Sequence, residues 1–435
     1  MAATLPRPID GALPVPSLSR GRVIVATTLG NALEFFDFTV YGFMAVVIGK
    51  LFFPMMSPYM QVLLSVATFG VGFIMRPLGG IVIGAYADRA GRKAAMTLTI
   101  FLMALGCAII GLAPTYAQIG IAAPLIIVLA RLIQGFSAGG EVGASTTLLV
   151  EYARADNRGF LGSWQFASQG VGVTLGASSV WALSTFLSAA ELLSWGWRIP
   201  FLAGIAIGPL GMFIRRRLAE THTTLAIERQ PVRTVMRDHW RSALLGTLLT
   251  MGITVCAYLI TFYMPTYAVR ELKLPMPVAL MAGIVSGALT VVFAPLAGLV
   301  SDRLKRKPLI LAARLATVLL VYPGFLWLIA SPSETSLLVV VGVLSILLAI
   351  QSAPAITMIP ELFPQPVRAT GMAIVYSLGV AVFGGFAPFV ATWMINVTGG
   401  NKLAPAFYMI GGVVISSFAL LGIRDRTGEV LDSPY

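Results

Sequence analysis

Twelve apolar stretches, each long enough to cross a lipid bilayer as a helix, dominate this chain. A transmembrane helix needs about 20 mostly apolar residues. Only 11% of the 435 residues are charged, against about 25% in soluble domains, which excludes a soluble enzyme, a disordered protein and a disulfide scaffold. We therefore predict an all-α polytopic membrane protein. The predicted spans, numbered 1 to 12, are 23–49, 60–87, 94–113, 118–150, 158–186, 196–214, 242–268, 277–301, 308–329, 336–360, 367–396 and 404–424.

The basic residues predict how these spans are oriented. The net charge of +12 would suit a nucleic-acid partner, but most Lys and Arg stand in short runs between apolar stretches. If both termini are cytoplasmic, 22 of the 30 basic residues fall in cytoplasmic segments and five on the opposite side. Such a bias is typical of the cytoplasmic loops of membrane proteins. We predict cytoplasmic termini and no nucleic-acid partner.

The chain contains two copies of one loop. GAYADRAGRK at 84–93 matches GLVSDRLKRK at 298–307, with an offset of 214 residues. Offsets of about half the chain indicate two parallel repeats, divided by a polar stretch. The predicted domains are an N-terminal segment 1–22, a six-helix bundle 23–214, a central cytoplasmic loop 215–241, a second six-helix bundle 242–424 and a tail 425–435.

A second match supports the repeat. Glu151 and Arg158 in the first half correspond to Glu361 and Arg368 in the second, at an offset of 210. This offset is again about half the chain, so two separate pairs of segments indicate the same duplication.

The repeated loop resembles the most specific motif of the major facilitator superfamily. Further segments resemble its metabolite–proton symporter family, and the likeness covers nearly the whole chain. These segments are GNALEFFDF (30–38), MRPLGG (75–80), RLIQGFSAGGE (131–141), SWQFASQ (163–169), WGWRIPF (195–201) and PELFPQPVRATG (360–371). The resemblance implies two pseudo-symmetric six-helix bundles in a bacterial inner membrane, which move citrate or a related tricarboxylate together with protons by alternating access.

Other functions stay open at this point. The same family contains carriers of other organic acids, such as dicarboxylates and shikimate, and of zwitterions such as betaine. A proton-coupled exporter, a facilitator and a non-transporting receptor would share the fold. The sequence shows no phosphate-binding loop and no Cys/His cluster for a metal. We therefore expect a monomeric carrier with no cofactor, no metal and no enzymatic activity, whose partners are the organic anion, protons and lipid.

Six charged residues fall inside the predicted spans away from the span ends, where a charge costs at least about 2.5–3.5 kcal/mol. They are Glu34, Asp37, Arg76, Arg131, Glu141 and Arg314. The equivalents of Glu34, Asp37 and Arg131 in the second repeat are apolar or small. Because the symmetry of the fold does not require these three charges, they are functional candidates. Arg314 lies two turns from a basic cluster, so we expect it to extend to the interface and leave it outside the site.

Span 1 carries a polar stripe formed by Asn31, Glu34 and Asp37, spaced three residues apart on one helix face. Glu34 lies about 17 Å from the cytoplasmic entry at 1.5 Å per residue, close to the bilayer centre. A buried carboxyl there can exchange a proton. Glu34 and Asp37 are therefore the predicted proton-coupling residues. The alternative is a permanent salt bridge to span 2 or 4.

Arg131 and Gln134 share one face of span 4, and a guanidinium fork matches a carboxylate. We predict that Arg131 binds an anionic substrate or the span 1 carboxylates, and the alternative is structural pairing with Glu141 or Glu34. For Arg76 the sequence likewise allows either substrate binding or structural pairing. Buried amides and hydroxyls could complete the binding site. The predicted substrate-binding residues are Asn31, Arg76, Arg131, Gln134, Gln165, Gln169, Gln351 and Tyr376.

The two loop copies are the predicted gate. Charge pairs at these helix ends can hold the two halves together when the carrier opens to the outside, and the alternative is a role in topology alone. Lys305 in the second copy replaces Gly91 in the first. The predicted gating residues are Asp88, Arg89, Arg92, Lys93, Asp302, Arg303 and Arg306.

Overall fold

The computed structural model describes residues 20–90, 92–205 and 231–431, without the side chains of residues 20, 22, 23, 26, 84, 85, 87–90, 92–96 and 144. Within these ranges the fold is all helical and contains no strand. Most of the predicted N-terminal segment, the end of span 6 and much of the central loop lie outside the described residues.

The first repeat folds into helices at the predicted stretches. Span 1 is bent by 60° between its two helices, and spans 2 and 4 are each divided into two consecutive helices. The bounds are Arg20–Phe43 and Ala45–Phe52 for span 1, Pro58–Ile74 and Arg76–Ala90 for span 2, Arg92–Leu112 for span 3, Ala122–Ala138 and Glu141–Tyr152 for span 4, and Arg158–Phe186 for span 5, with short helices Tyr116–Ile119 and Ala189–Ser194 and a 3₁₀ turn Gly196–Arg198.

The second repeat follows a short helix, Pro231–Asp238. Spans 7 and 11 each contain a π-helical turn, a feature often found at functional positions. The bounds are Trp240–Ala257, Tyr258–Tyr263 (π) and Met264–Arg270 for span 7, Met276–Leu304 for span 8, Arg306–Ala330 for span 9, Glu334–Glu361 for span 10, Arg368–Gly379, Val380–Gly384 (π) and Ala387–Val397 for span 11 (after a 3₁₀ turn Gln365–Val367), and Ala404–Leu421 for span 12.

In the described part of the chain, eight helices are long and apolar enough to cross a membrane, or nine if the bent span 1 counts as one. The all-α membrane fold is therefore confirmed, and the number twelve stays a prediction. Span 5 has the required length of 29 residues, but its glutamines and serines make it less apolar. Span 3 contributes a shorter apolar helix, Thr97–Leu112.

Glycines bring spans 2 and 4 into backbone contact. A Cβ atom on Gly135 would lie 1.6 Å from the carbonyl oxygen of Gly72, and one on Gly139 would lie 2.0 Å from that of Arg76. No larger side chain fits at such a crossing. Because Arg76 and Arg131 lie on these two helices, the crossing fixes both guanidinium groups beside span 1.

Glycines also join spans 5 and 8, which form the most extensive helix contact of the fold. A Cβ atom on Gly159 would lie 2.6 Å from the carbonyl oxygen of Gly298, and one on Gly170 would lie 2.7 Å from that of Gly287. The two crossings are eleven residues apart on each helix, so the helices run antiparallel. This contact connects the first repeat with the second.

Candidate functional site

Glu34 and Arg76 form a buried ion pair between spans 1 and 2. Arg76 Nη2 lies 2.5 Å from Glu34 Oε1, and the two side chains are 1% and 2% exposed. The guanidinium also lies over the rings of Phe38 and Phe73, at 5.0 and 4.6 Å from their centroids. Glu34 Oε2 is buried and has no hydrogen-bond partner in the part of the chain that the structure describes. One carboxylate oxygen is therefore bound and the other is available.

Asp37 lies in a closed ring of four hydrogen bonds. Arg131 Nη1 donates to Asp37 Oδ2 at 3.2 Å and to Gln134 Oε1 at 2.8 Å. Gln134 Nε2 donates to Cys107 Sγ at 3.4 Å, and Cys107 Sγ donates to Asp37 Oδ1 at 3.0 Å. Both oxygens of Asp37 are thus occupied. The two predicted proton-coupling carboxylates stand in different environments.

Cys107 is a member of this ring that the sequence interpretation missed. It lies in the apolar span 3, where a thiol is most often a small core side chain. The distance between Cys107 and Asp37 depends on how spans 1, 3 and 4 pack, which the sequence does not show. Of the members of this ring, the sequence places only Arg131 and Gln134 together, on one face of span 4.

Arg131 keeps donors that no described residue uses. Its Nε and Nη2 are buried without a hydrogen-bond partner. The guanidinium lies over Phe38, Tyr41 and Phe69 at 4.5 to 5.3 Å from the ring centroids. Cation–π attraction offsets part of the cost of burying this charge. The structure pairs Arg131 with Asp37.

Asn31 connects span 1 to span 5. Its Nδ2 donates to the Gln165 carbonyl oxygen at 3.0 Å and to Ser168 Oγ at 2.8 Å. The Gln165 side chain accepts from Ser145 Oγ at 3.2 Å. Asn31 Oδ1 and Gln165 Nε2 are buried without partners. Both residues therefore combine a structural contact with a free polar atom.

A narrow cavity of about 30 Å³ lies between the repeats. Of the predicted substrate-binding residues it contains Gln169 and Tyr376, whose side chains are joined by a hydrogen bond of 3.3 Å across the two repeats. Phe73, over which Arg76 lies, packs against the ring of Tyr258 in the cavity wall with 5.4 Å between the ring centroids. The lining residues are Phe35, Phe166, Gln169, Gly170, Val173, Ile253, Thr254, Ala257, Tyr258, Thr261, Phe262, Gly287, Thr290, Leu348, Ile356 and Tyr376.

Two other predicted positions lie elsewhere. Gln351 is fully buried and does not line the cavity. The expectation that Arg314 extends to the interface is wrong, because its side chain is 1% exposed and Nη2 donates to the Leu249 carbonyl oxygen at 3.2 Å. Its helix packs against spans 10 and 12, so the side chain is enclosed by neighbouring helices.

The predicted gate is described in its second copy. Asp302 accepts hydrogen bonds from the backbone N–H groups of Gly159 and Phe160, at 2.7 and 2.9 Å. It therefore caps the start of span 5 from the end of span 8. Arg306 pairs with Asp302 at 3.7 Å and more closely with Glu361. Arg303 is exposed. The side chains of Asp88, Arg89, Arg92 and Lys93 lie outside the described residues.

We call the side of the membrane on which the loop copy 298–307 lies the motif side. Two further ion pairs connect the repeats on this side. Arg158 Nη1 lies 2.9 Å from Glu361 Oε1, and Arg368 Nη1 lies 3.1 Å from Glu151 Oε1. The sequence interpretation used these four residues only as evidence for the duplication. Their charge complementarity at equivalent positions was the signal that could have identified the pairs.

The residues after span 12 pack onto this network. Arg158 donates to the carbonyl oxygen of Glu429, and Arg426 Nη1 donates to that of Glu361 at 3.2 Å. Asp425 accepts from the backbone N–H of Lys307 at 2.9 Å. Burial raises the pKa of Asp425, but hydrogen bonds from Thr427 and Lys307 and the nearby Arg306 charge outweigh it and lower that pKa below its ordinary value.

The chain is similar in sequence to known membrane transporters. A family model described as Major Facilitator Superfamily matches residues 28–323 and 284–434. The citrate-proton symporter of Salmonella typhi is 36% identical over 94% of this chain and 95% of its own length, and that of Klebsiella pneumoniae is 35% identical over 94% and 93%. The proline/betaine transporter of Escherichia coli (strain K12) is 34% identical over 94% and 84%.

Solved structures show the same fold. The partially occluded inward open conformation of the xylose transporter XylE from E. coli superposes with a TM-score of 0.76, covering 95% of this chain and 99% of that chain. The sequence identity is 18%, so the likeness concerns the fold.

Proposed function

Because this chain belongs to the Major Facilitator Superfamily, we propose that it is a proton-coupled symporter of citrate or a related tricarboxylate in a bacterial inner membrane. It is a transport protein and not an enzyme. The substrate is supported by the 36% and 35% identity to citrate-proton symporters. The bias of basic residues supports cytoplasmic termini, and the two sequence repeats support the division into two six-helix bundles.

The proposed coupling mechanism rests on the buried ion pair of Glu34 and Arg76, which lies behind the cavity wall. When a proton binds Glu34, the buried Arg76 loses the charge that compensates it. An uncompensated buried charge is strongly unfavourable, and a carboxylate of the substrate can restore the balance. Proton and anion therefore favour each other's binding, which is the requirement for symport.

Glu34 is the better proton acceptor of the two carboxylates. Glu34 Oε2 has no hydrogen-bond partner, so a proton can be added without breaking a bond. Protonation of Asp37 would have to displace a bond from Cys107 or Arg131. We assign proton exchange to Glu34 and a fixed negative charge to Asp37, which holds Arg131.

The membrane potential makes the coupled proton necessary. An inside-negative potential opposes entry of an anion by about 2.3 kcal/mol per charge per 100 mV. Protons that enter with a polyvalent anion offset this cost. Alternating access then requires that the ion pairs on the motif side separate and re-form in each cycle.

Uptake into proteoliposomes tests the proposal. With an inward-directed pH gradient, labelled citrate should accumulate above its outside concentration, and a protonophore should abolish the accumulation. Uptake that is unchanged without the gradient would indicate a facilitator. Uphill movement in the opposite direction to the proton would indicate an exporter.

A zwitterion is the second candidate substrate, favoured by the cavity wall. Among the described residues, none that lines it is charged, and the aromatic side chains of Phe35, Tyr258 and Phe262 belong to its wall. Aromatic faces attract quaternary ammonium groups, and the proline/betaine transporter of E. coli is 34% identical. Betaine in excess over citrate in the same assay distinguishes the two: strong inhibition by betaine and none by tricarballylate would overturn the tricarboxylate assignment and leave the symporter intact.

A further inference from the structure

Arg314 is a buried cation without a carboxylate partner in the described part of the chain. Arg76 and Arg131, the other two arginines away from the ends of the predicted spans, lie 2.5 and 3.2 Å from a carboxylate oxygen. Arg314 Nη2 donates a hydrogen bond to the Leu249 carbonyl oxygen. Its Nε and Nη1 are buried and have no hydrogen-bond partner among the described residues.

Two uncharged polar side chains lie near this cation. The Cys256 thiol interacts with the Arg314 charge and approaches the amide of Gln351. Gln351 is fully buried, and neither its Nε2 nor its Oε1 makes a hydrogen bond of acceptable geometry. The three side chains come from spans 7, 9 and 10, so the fold assembles them from separate parts of the second repeat.

The cluster contains many more donors than acceptors. Arg314 Nε and Nη1, Gln351 Nε2 and the Cys256 thiol all carry hydrogens, and the amide oxygen of Gln351 is the main acceptor among them. Buried polar groups in proteins are nearly always paired, and a lone buried charge is more costly still. A group of donors around one positive charge matches a monovalent anion.

This cluster is separate from the transport cavity. Ile253, Thr254 and Ala257 of span 7 line the cavity, whereas Gly252 and Cys256 face Arg314. At about 100° per residue, these two sets are centred on different sides of the helix. An anion beside Arg314 would therefore lie behind span 7, away from the path that a substrate takes through the cavity.

We propose that Arg314, Gln351 and Cys256 bind a small monovalent inorganic anion, for which chloride is the probe. Every side chain of the cluster is almost completely buried among spans 7, 9, 10 and 12, which favours a monatomic ion over a polycarboxylate. One negative charge compensates the one positive charge of Arg314. The bound anion joins these helices within the second repeat, and its binding is independent of which substrate the cavity carries.

Thermal unfolding of the purified full-length protein tests this site. Chloride replaces gluconate at constant ionic strength, in the absence of citrate. The wild type should show a saturating rise in Tm of at least about 2 °C, and Arg314→Gln should show none. Arg154→Gln, which changes an exposed arginine, is the matched control and should respond like the wild type.

Direct binding gives the second measurement. Equilibrium dialysis with radioactive chloride should find one ion per wild-type chain, and Gln351→Leu should weaken that binding about tenfold. The Gln351 variant keeps the test informative if Arg314→Gln does not fold. Absence of saturable chloride binding to the wild type, or unchanged binding by both variants, would overturn the proposal. Displacement of chloride by citrate in competition would assign the cluster to the substrate and also overturn it.

Discussion

Arg158 and Arg368 occupy equivalent positions in the two repeats, and each pairs with the glutamate of the other repeat. Arg158 contacts Glu361 at 2.9 Å, and Arg368 contacts Glu151 at 3.1 Å. Because of the duplication, each repeat contributes one arginine and one glutamate to these two ion pairs. Each pair can form only when the two repeats meet on the motif side, so the pairs report the closed state of that side.

The first prediction concerns Glu361, which pairs with both Arg158 and Arg306. Glu361→Gln leaves the buried Arg158 without a carboxylate partner and Arg306 with only the longer pair to Asp302, and breaking a buried ion pair typically costs about 3–5 kcal/mol. The closed arrangement should lose that stabilisation and open more often. A cysteine in place of the buried Thr357, beside Gly162 at the contact between the repeats, should then react at least about tenfold faster with a maleimide.

Glu429→Gln is the control for that experiment. Glu429 is 42% exposed in its pair with Arg424, and exposed pairs contribute about 0–1 kcal/mol. Labelling at position 357 should stay at the wild-type rate. Equal labelling of the Glu361 variant and the wild type would show that the ion pairs do not keep the motif side closed.

The second prediction concerns Lys305, whose backbone lies at φ 70° and ψ 151°. Few residues other than glycine adopt this conformation without strain. Since the side chain is exposed, Lys305→Gly should remove strain and raise the free energy of unfolding by about 1 kcal/mol. Arg303→Gly, in the adjacent exposed helical turn, should instead lower it by about 0.5–1 kcal/mol. A lower Tm for Lys305→Gly would contradict the strain argument.

The third prediction concerns Cys107. Cys107→Val removes the donor to Asp37 Oδ1 and leaves a buried carboxylate oxygen unsatisfied, which costs about 1–3 kcal/mol. We expect a lower Tm and a lower rate of citrate uptake. Cys107→Ser keeps a hydroxyl donor at the same position and should retain most of both. Equal behaviour of the two variants would show that the thiol acts only as a packing group.

The fourth prediction separates Glu34 from Asp37. Glu34→Gln should preserve exchange of labelled citrate between equal concentrations and abolish accumulation driven by the pH gradient, because the proton site is gone while Arg76 stays available. Asp37→Asn should impair both assays, because Arg131 loses its fixed partner. Arg131→Gln should abolish citrate binding. Accumulation by Glu34→Gln that still follows the pH gradient would exclude Glu34 as the proton site.

The fifth prediction concerns the crossing of spans 5 and 8. A Cβ atom on Gly170 would lie 2.7 Å from the Gly287 carbonyl oxygen, so Gly170→Ala must displace one helix and should lower the free energy of unfolding by about 1–3 kcal/mol. Gly411 in span 12 has no atom within 4 Å of such a Cβ. Gly411→Ala is the matched control and should be stabilising by up to about 1 kcal/mol. Thermal unfolding measures both.

The fold and the charged residues were readable from the sequence because each depends on local pattern. Apolar length predicts membrane helices, and a buried charge is conspicuous in an apolar stretch, as with Glu34 and Arg76. The sequence did not show which residue each buried charge pairs with. For Arg131 the substrate, the span 1 carboxylates and Glu141 were all candidate partners, and it is the packing of span 4 against span 1 that places Asp37 beside it.

Uncharged residues were harder to interpret. Gln169 and Tyr376 do line the cavity, but Gln351 turns towards Cys256, because the face that a helix presents depends on its neighbours. Arg314 was misjudged for the same reason, since its distance from a basic cluster says nothing about the helices that surround it. The duplication gave the positions of Glu151, Arg158, Glu361 and Arg368 but not that pairs would form between repeats.

The backbone contact between spans 5 and 8 has a consequence for the speed of the transport cycle. At Gly159 and Gly298, and again at Gly170 and Gly287, the two backbones touch, and small side chains, those of Ser163, Thr174, Thr290 and Ser301, pack beside the crossings. One helix can therefore tilt against the other without moving a large side chain at these points. The activation energy for reorientation is then set mainly by the ion pairs at the helix ends. Turnover should respond more strongly to substitutions at Glu361 or Arg368 than to conservative changes along the helix contact.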